Sequence, residues 1–404
     1  MIYRPIAALP LTEFIALMAC LTSLTALSID AILPALSAIG SELNATNPQQ
    51  LHYSISLFFL GLAFGQLLFG TLSDSIGRRY VTAIGITIFA AGSILCIYSQ
   101  SVPVFLAGRI IQGIGIGGPR SSVVAIVRDQ YEGAAMARIM SFIMAVLVFV
   151  PLLAPLLSQL VLAEFNWQFI FGFITVFALI LALWFLCRQA ETLRREHRRI
   201  LSIRGILHST RHILSSPVVF GYTVALGILF GMFLSYISVS QSIFQTIYNT
   251  GDAFPLYFAL LSIPIGLAFM ANGKLVIKLG MIRLSFFAVT TILIFSLVFL
   301  VLCLLNNNTP PLLQFLLVLL PIFFGIGLLL GNLNALAMAP LAERAGIGAA
   351  LTSSISALIS VAVSACVGAT IKTTLTPLAI AFIGLASLVA ILIVFSWLQS
   401  KRNP

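Results

Sequence analysis

Gly70-Thr71-Leu72-Ser73-Asp74-Ser75-Ile76-Gly77-Arg78-Arg79 decides the reading of this chain. The decapeptide joins two apolar runs, 50–71 and 80–99, each of the length, about 20 residues, that a helix needs to cross a bilayer. Its glycines permit a tight turn and close helix approach. Asp74 is placed to face a helix N-terminus or an arginine. Arg78 is placed to pair with an acid at the end of another span, for which Asp129 is the candidate. Residues 273–280, Gly-Lys-Leu-Val-Ile-Lys-Leu-Gly, repeat the Gly, Leu and Gly at an offset of 203, about half of the 404-residue chain. This second stretch also follows an apolar run and precedes a cationic turn. The repeat predicts two halves of parallel topology.

Composition agrees with a membrane chain. Hydrophobic residues make up 60%, charged residues 8%, and mean hydropathy is +1.12. A soluble domain carries roughly 45–50% apolar and about 25% charged residues, so a soluble globular protein is excluded. Disorder is excluded too, because it needs low hydrophobicity. The apolar runs are unbroken, unlike the alternating strands of a membrane barrel. Twelve runs are read, at 11–39, 50–71, 80–99, 103–127, 138–162, 167–187, 218–244, 253–273, 281–304, 312–337, 347–371 and 377–399. The first is far longer than the apolar core of a signal peptide, about 7–15 residues, and is read as a retained span.

Net charge is +10, from 21 Lys+Arg against 11 Asp+Glu. With the N-terminus placed inside, 18 of the 21 cations fall in cytoplasmic segments, Lys372 alone in an outer loop, and Arg109 and Arg120 within a span. Cytoplasmic loops collect Lys and Arg, so both termini are expected in the cytoplasm. The excess therefore does not point to nucleic acid. The longest polar stretch, 188–217, divides the chain into an N-terminal bundle, 1–187, and a C-terminal bundle, 218–404. Ile200, Ile203, Leu207 and Leu214 recur there among arginines, as in an amphipathic helix on the inner membrane face; a solvated linker is the alternative. The five cysteines are single and the four histidines scattered, so no metal site or disulfide framework is expected. Neither a Ser/His/Asp set nor paired carboxylates occurs in the spans, so no enzyme activity and no cofactor is expected.

Two six-span halves of parallel topology are the layout of major-facilitator transporters, and residues 70–79 resemble that superfamily's signature loop, G-x-L-x-D-x-x-G-R-[KR]. Ser28-Ile29-Asp30-Ala31-Ile32-Leu33-Pro34-Ala35-Leu36 is similar to a segment of its Bcr/CflA drug/proton antiporter branch. So are Arg109-Ile110-Ile111-Gln112-Gly113-Ile114-Gly115, Ala125-Ile126-Val127-Arg128-Asp129, Arg138-Ile139-Met140-Ser141 and Leu153-Ala154-Pro155-Leu156-Leu157. The resemblance implies an all-α fold of twelve transmembrane helices in two pseudo-symmetric six-helix bundles, with substrate bound between them. It implies a monomeric, multi-pass protein of a bacterial inner membrane that moves small molecules by alternating access, driven by the proton gradient. It also implies that Gly70, Leu72, Asp74, Gly77, Arg78, Arg79 and Asp129 latch the cytoplasmic side when the carrier faces outward. The chain departs from the branch at Ser158-Gln159, where Gly-Gly is usual, and span eleven holds no cation before Lys372.

Charges inside spans carry the functional expectation. Asp30, Arg109 and Arg120 each cost roughly 2.5–3.5 kcal/mol at a helix centre on insertion scales, so such residues face a bundle interior or an aqueous cavity. Counted from the outer ends of their spans, Asp30 and Arg109 lie at similar depth and are expected to meet. Burial disfavours the charged form of a carboxyl and a nearby guanidinium favours it. Asp30 is therefore the candidate proton carrier, tuned by Arg109; a static pair is the alternative. Arg120 follows Arg109 by 11 residues, nearly three full turns, and Gln112 shares that face. It is either a site for an anionic substrate or a partner of Asp129. Further substrate-binding candidates are Tyr236 and Gln241 in span seven and Asn332 and Asn334 in span ten. The first reading is a proton-coupled exporter of small organic molecules or drugs. The second is a proton-coupled importer or metabolite carrier for an anionic ligand such as a carboxylate or siderophore, favoured by Arg120 and Ser158-Gln159.

Overall fold

A computed structural model of the chain describes residues 9–45, 49–131, 133–193, 215–371 and 374–402. The described residues are helical, without strands. Contacts divide the chain into two compact units, Met1–Ile203 and Arg204–Pro404. Most of the basic stretch, 194–214, lies outside the described residues, as do Lys372 and the side chain of Arg138.

Among the described residues, six long helices make up the first unit. They are α1 Leu11–Asp30, α2 Gln49–Ile76, α3 Arg78–Ile97, α4 Val102–Gln130, α5 Gly133–Glu164 and α6 Gln168–Arg188. The first predicted span is not one continuous helix. It breaks after Asp30, passes through a 3-10 turn at Leu33–Ala35 and resumes as a short helix, Leu36–Glu42. Pro34 is the cause. It has no N–H to give the Asp30 carbonyl four residues back, and its ring crowds that carbonyl.

Close packing around α4 is built on glycine. A Cβ at Gly113 would collide with the Phe58 carbonyl of α2, and one at Gly115 would collide with the Phe89 amide of α3. Backbones at that separation admit no side chain, which is how membrane helices gain contact without a hydrophobic drive between them. Gly113→Ala is expected to destabilise the unit by about 1–3 kcal/mol, the usual cost of overpacking. A thermal melt of the purified variant unchanged from wild type would contradict this packing.

The second unit has α7 Pro217–Gln241, α8 Phe254–Leu279, α9 Met281–Leu305, α10 Leu312–Met338, α11 Ala345–Gly368 and α12 Thr376–Arg402. Helix α7 continues as a π-helical turn, Ser242–Ile247. It packs against α10, α11 and α12. Ser356 donates to the Thr223 carbonyl at 2.9 Å, and the Ser238 and Ser364 hydroxyls meet at 3.2 Å, so hydrogen bonds join α7 to α11.

Large apolar side chains cover the outside. On α9, Ile294, Leu297, Val301 and Leu304 follow helical spacing and are each more than half exposed. Water tolerates no such stripe on a monomer; lipid does. Among the described residues, 11 helices are long and apolar enough to cross a membrane. In α5 the described apolar stretch is the shorter Leu153–Glu164.

Candidate functional site

Two polar clusters in the first unit hold most of the candidate residues. The first surrounds the loop between α2 and α3. Helix α2 ends at Ile76, and Gly77 takes φ 107°, a conformation that favours glycine. Gly70 and Leu72 lie in the final turns of α2, half-buried. The Arg78 side chain, 3% exposed, reaches Asp74 Oδ1 at 2.9 Å and Asp129 Oδ2 at 3.0 Å. It also donates to the Ser73 carbonyl at 2.5 Å. Asp129, near the end of α4, accepts a further bond from Thr192 at 2.8 Å. Arg79 donates to the Leu186 carbonyl at the end of α6.

Glu191 completes this cluster, and the sequence reading missed it. Its two carboxylate oxygens accept the backbone N–H groups of Arg78 and Arg79, each at 3.0 Å. These are orphan donors of the first turn of α3, where negative charge is favoured. A Cβ at residue 77 would collide with the same carboxylate, so Gly77 is required by space as well as by φ. The signal available was an acid heading an otherwise basic stretch. Glu191→Ala is expected to cost about 1–2 kcal/mol, as for other lost caps, and Glu191→Gln less, since its amide oxygen still accepts one bond. Equal melting temperatures for Glu191→Ala and wild type would refute the cap.

A second missed contact joins α1 to α6. Arg188 holds Glu13 through two bonds, at 2.8 and 2.7 Å, and Trp184 donates to the same carboxylate at 3.2 Å.

The second cluster is buried deeper. Arg109 is 0% exposed. It donates to the Ser28 carbonyl of α1 at 3.0 Å, to Gln112 Oε1 at 2.5 Å and, more weakly, to the Ser54 carbonyl of α2 at 3.4 Å. Its guanidinium lies 4.5 Å from the Phe58 ring centroid. Gln112 passes the network on, donating to Ser93 of α3 at 2.6 Å. Arg109 and Gln112 together thus tie four helices. Both side chains have every surface committed to protein.

Arg109 meets α1 beside Asp30 but not at its carboxylate. Asp30 is 4% exposed and has no hydrogen-bond or ion-pair partner among the described residues. The expected Asp30–Arg109 contact is therefore replaced by a bond to the backbone two residues earlier. The main-chain carbonyl of Ser28 lies nearer the guanidinium than the side chain at the helix break.

Arg120 is half-buried in α4 and has no partner among the described residues. The alternative pairing with Asp129 is not formed: Asp129 lies nine residues further along α4, about 14 Å by helix rise, and its Oδ2 bonds Arg78 and Thr192 instead.

In the second unit the candidates stand apart. Tyr236 is 1% exposed, stacked on Phe258 at 6.2 Å and set edge-on to Phe323 at 4.8 Å. Its hydroxyl has no partner among the described residues. Gln241 donates to Gln245 at 2.8 Å. Asn332 is buried and donates to Asn272 of α8 at 2.9 Å. Asn334 is exposed, because two residues turn it about 200° round the helix.

Known proteins agree with this architecture. Residues 18–365 match the Major Facilitator Superfamily profile. The chain is 25% identical over 374 residues to the multidrug resistance protein MdtL of Salmonella heidelberg, covering 91% of each. It is 25% identical over 268 residues to a bicyclomycin resistance protein homolog of Haemophilus influenzae, covering 66% of this chain and 67% of that one. The crystal structure of the peptide transporter POT superposes with a TM-score of 0.75 at 14% identity, covering 97% of this chain and 94% of that one. With its apolar helices, signature loop and buried intramembrane charges, the chain belongs to the major facilitator superfamily, as a multi-pass transporter and not an enzyme.

Proposed function

We propose that the chain is a proton-coupled exporter of small organic molecules, working by alternating access as a monomer in a bacterial inner membrane. Both termini face the cytoplasm, and the proton gradient supplies the energy without a cofactor. The observation that carries this reading is Asp30. It is the one buried carboxyl among the described residues, it ends a broken membrane helix, and it has no cationic partner. A carboxyl so placed takes up and releases a proton at a cost that changes with its surroundings. The Asp74–Arg78–Asp129 cluster serves as the latch that stabilises one facing state. The names of the multidrug and bicyclomycin resistance relatives support drugs as the substrate class.

Arg120 favours a second reading, an importer of an anionic ligand. An arginine in a membrane helix without a protein partner offers a site for a carboxylate. Proteoliposome flux with an imposed pH gradient separates the two, with ethidium, tetraphenylphosphonium, citrate and a hydroxamate siderophore as probes. Export predicts that the organic cations move against proton flow. Anion movement with proton flow, and no cation movement, would replace the first reading by the second.

A further inference from the structure

The break in α1 leaves backbone groups that the helix no longer satisfies. Pro34 has no N–H for the Asp30 carbonyl. The Ala35 N–H, which a continuous helix would give to the Ala31 carbonyl, goes instead to Ile32 at 3.0 Å. The Ala31 carbonyl is thus released into the interior of the unit, where an unmet acceptor costs about 1–3 kcal/mol. One side chain answers it. Ser158 of α5, 3% exposed, donates its hydroxyl to the Ala31 carbonyl. Ala31 directly follows Asp30.

Other charged groups on the helices around α1 act elsewhere. Arg109 of α4 bonds the turn at Ser28, and Arg120 lies 11 residues further along the same helix. Asp129 is engaged by Arg78 and Thr192, and Arg128 beside it is exposed at the end of α4. Arg188 of α6 is held by Glu13, 17 residues from Asp30 and so about 26 Å along the helix. Glu164 ends α5 and is exposed. On α2, His52 is buried two residues from Ser54, whose carbonyl also takes a bond from Arg109.

We infer that Ser158 is a positioning residue. Its hydroxyl pins the broken turn between α1 and the 3-10 turn, and so sets the placement and proton affinity of the Asp30 carboxyl. The inference rests on the proton-carrier reading of Asp30. The two can fail separately.

Infrared pH titration of the full-length protein in nanodiscs tests it without a transported substrate. The carboxyl C=O band of Asp30 is assigned by its loss in Asp30→Asn. Ser158→Ala and Ser158→Gly should each move the midpoint of that band by about half a pH unit or more, roughly threefold in proton affinity. Ser158→Thr, which keeps the hydroxyl, should titrate as wild type. An Asp30 band that titrates identically in wild type, Ser158→Ala and Ser158→Gly overturns the positioning role alone. So does a Ser158→Thr midpoint displaced as far as that of Ser158→Ala. A band that never titrates overturns the proton-carrier reading, and this inference with it.

Discussion

Asp30→Asn is expected to abolish proton-driven transport, by 100-fold or more, while the protein still folds and inserts. Asparagine keeps the shape of aspartate and removes only the exchangeable proton. Asp30 is 4% exposed and has no hydrogen-bond or ion-pair partner among the described residues, so no structural contact is lost with its charge. Insertion becomes easier, because a charge at a helix centre costs roughly 2.5–3.5 kcal/mol and an amide less. Transport should therefore fail at coupling and not at folding. Downhill exchange of substrate should survive in proteoliposomes where uphill movement does not. The measurement is uphill flux under an imposed pH gradient, with surface yield and melting temperature as controls. Undiminished uphill flux in Asp30→Asn would remove the proton-carrier role.

Arg78→Ala should produce the largest loss of stability. Arg78 serves two carboxylates and a backbone carbonyl, and its side chain is 3% exposed, against 23% for Asp74 and 19% for Asp129. Removing it leaves two carboxylates facing one another without a counter-charge. Breaking a fully buried pair costs about 3–5 kcal/mol and an exposed one up to about 1. The intermediate burial of the two acids sets the expectation near 3 kcal/mol. Arg78→Lys should rescue only part of it, since a single ammonium cannot span three acceptors arranged for a guanidinium. The double variant with Asp129→Asn should lose less than the sum of the single losses, with a coupling of about 0.5–3 kcal/mol. Scanning calorimetry of the purified variants reads both quantities. Strictly additive losses would mean that the pair carries no energy.

The loop cluster was legible because its parts are close in sequence. Asp74, Gly77 and Arg78 sit within five residues, and their spacing alone predicts a turn with a charge on each side. Asp129 was reachable as an acid at the end of a span. Glu191 and Thr192 were not, because they lie beyond α6, more than 110 residues from Arg78, and spacing along a helix says nothing about where a neighbouring helix ends. Depth counting puts Arg109 and Asp30 at similar depth, and the guanidinium meets α1 two residues from Asp30, at the Ser28 carbonyl; counting cannot choose between a side-chain and a main-chain acceptor. That choice depends on rotamers and on which carbonyls a broken helix leaves open.

Hydropathy and charge settled by themselves that this chain crosses a membrane about a dozen times, because apolar run length and exclusion of charge are properties of the linear chain. Proline at position 34 also encodes the break after Asp30 locally, within a run that hydropathy alone leaves continuous. Packing alone decided that Arg109 serves backbone carbonyls, that Glu191 caps α3 and that Ser158 holds the turn beside Asp30. Each of those contacts joins residues from different helices, and a hydrogen bond forms only where folding brings its two ends within about 3 Å.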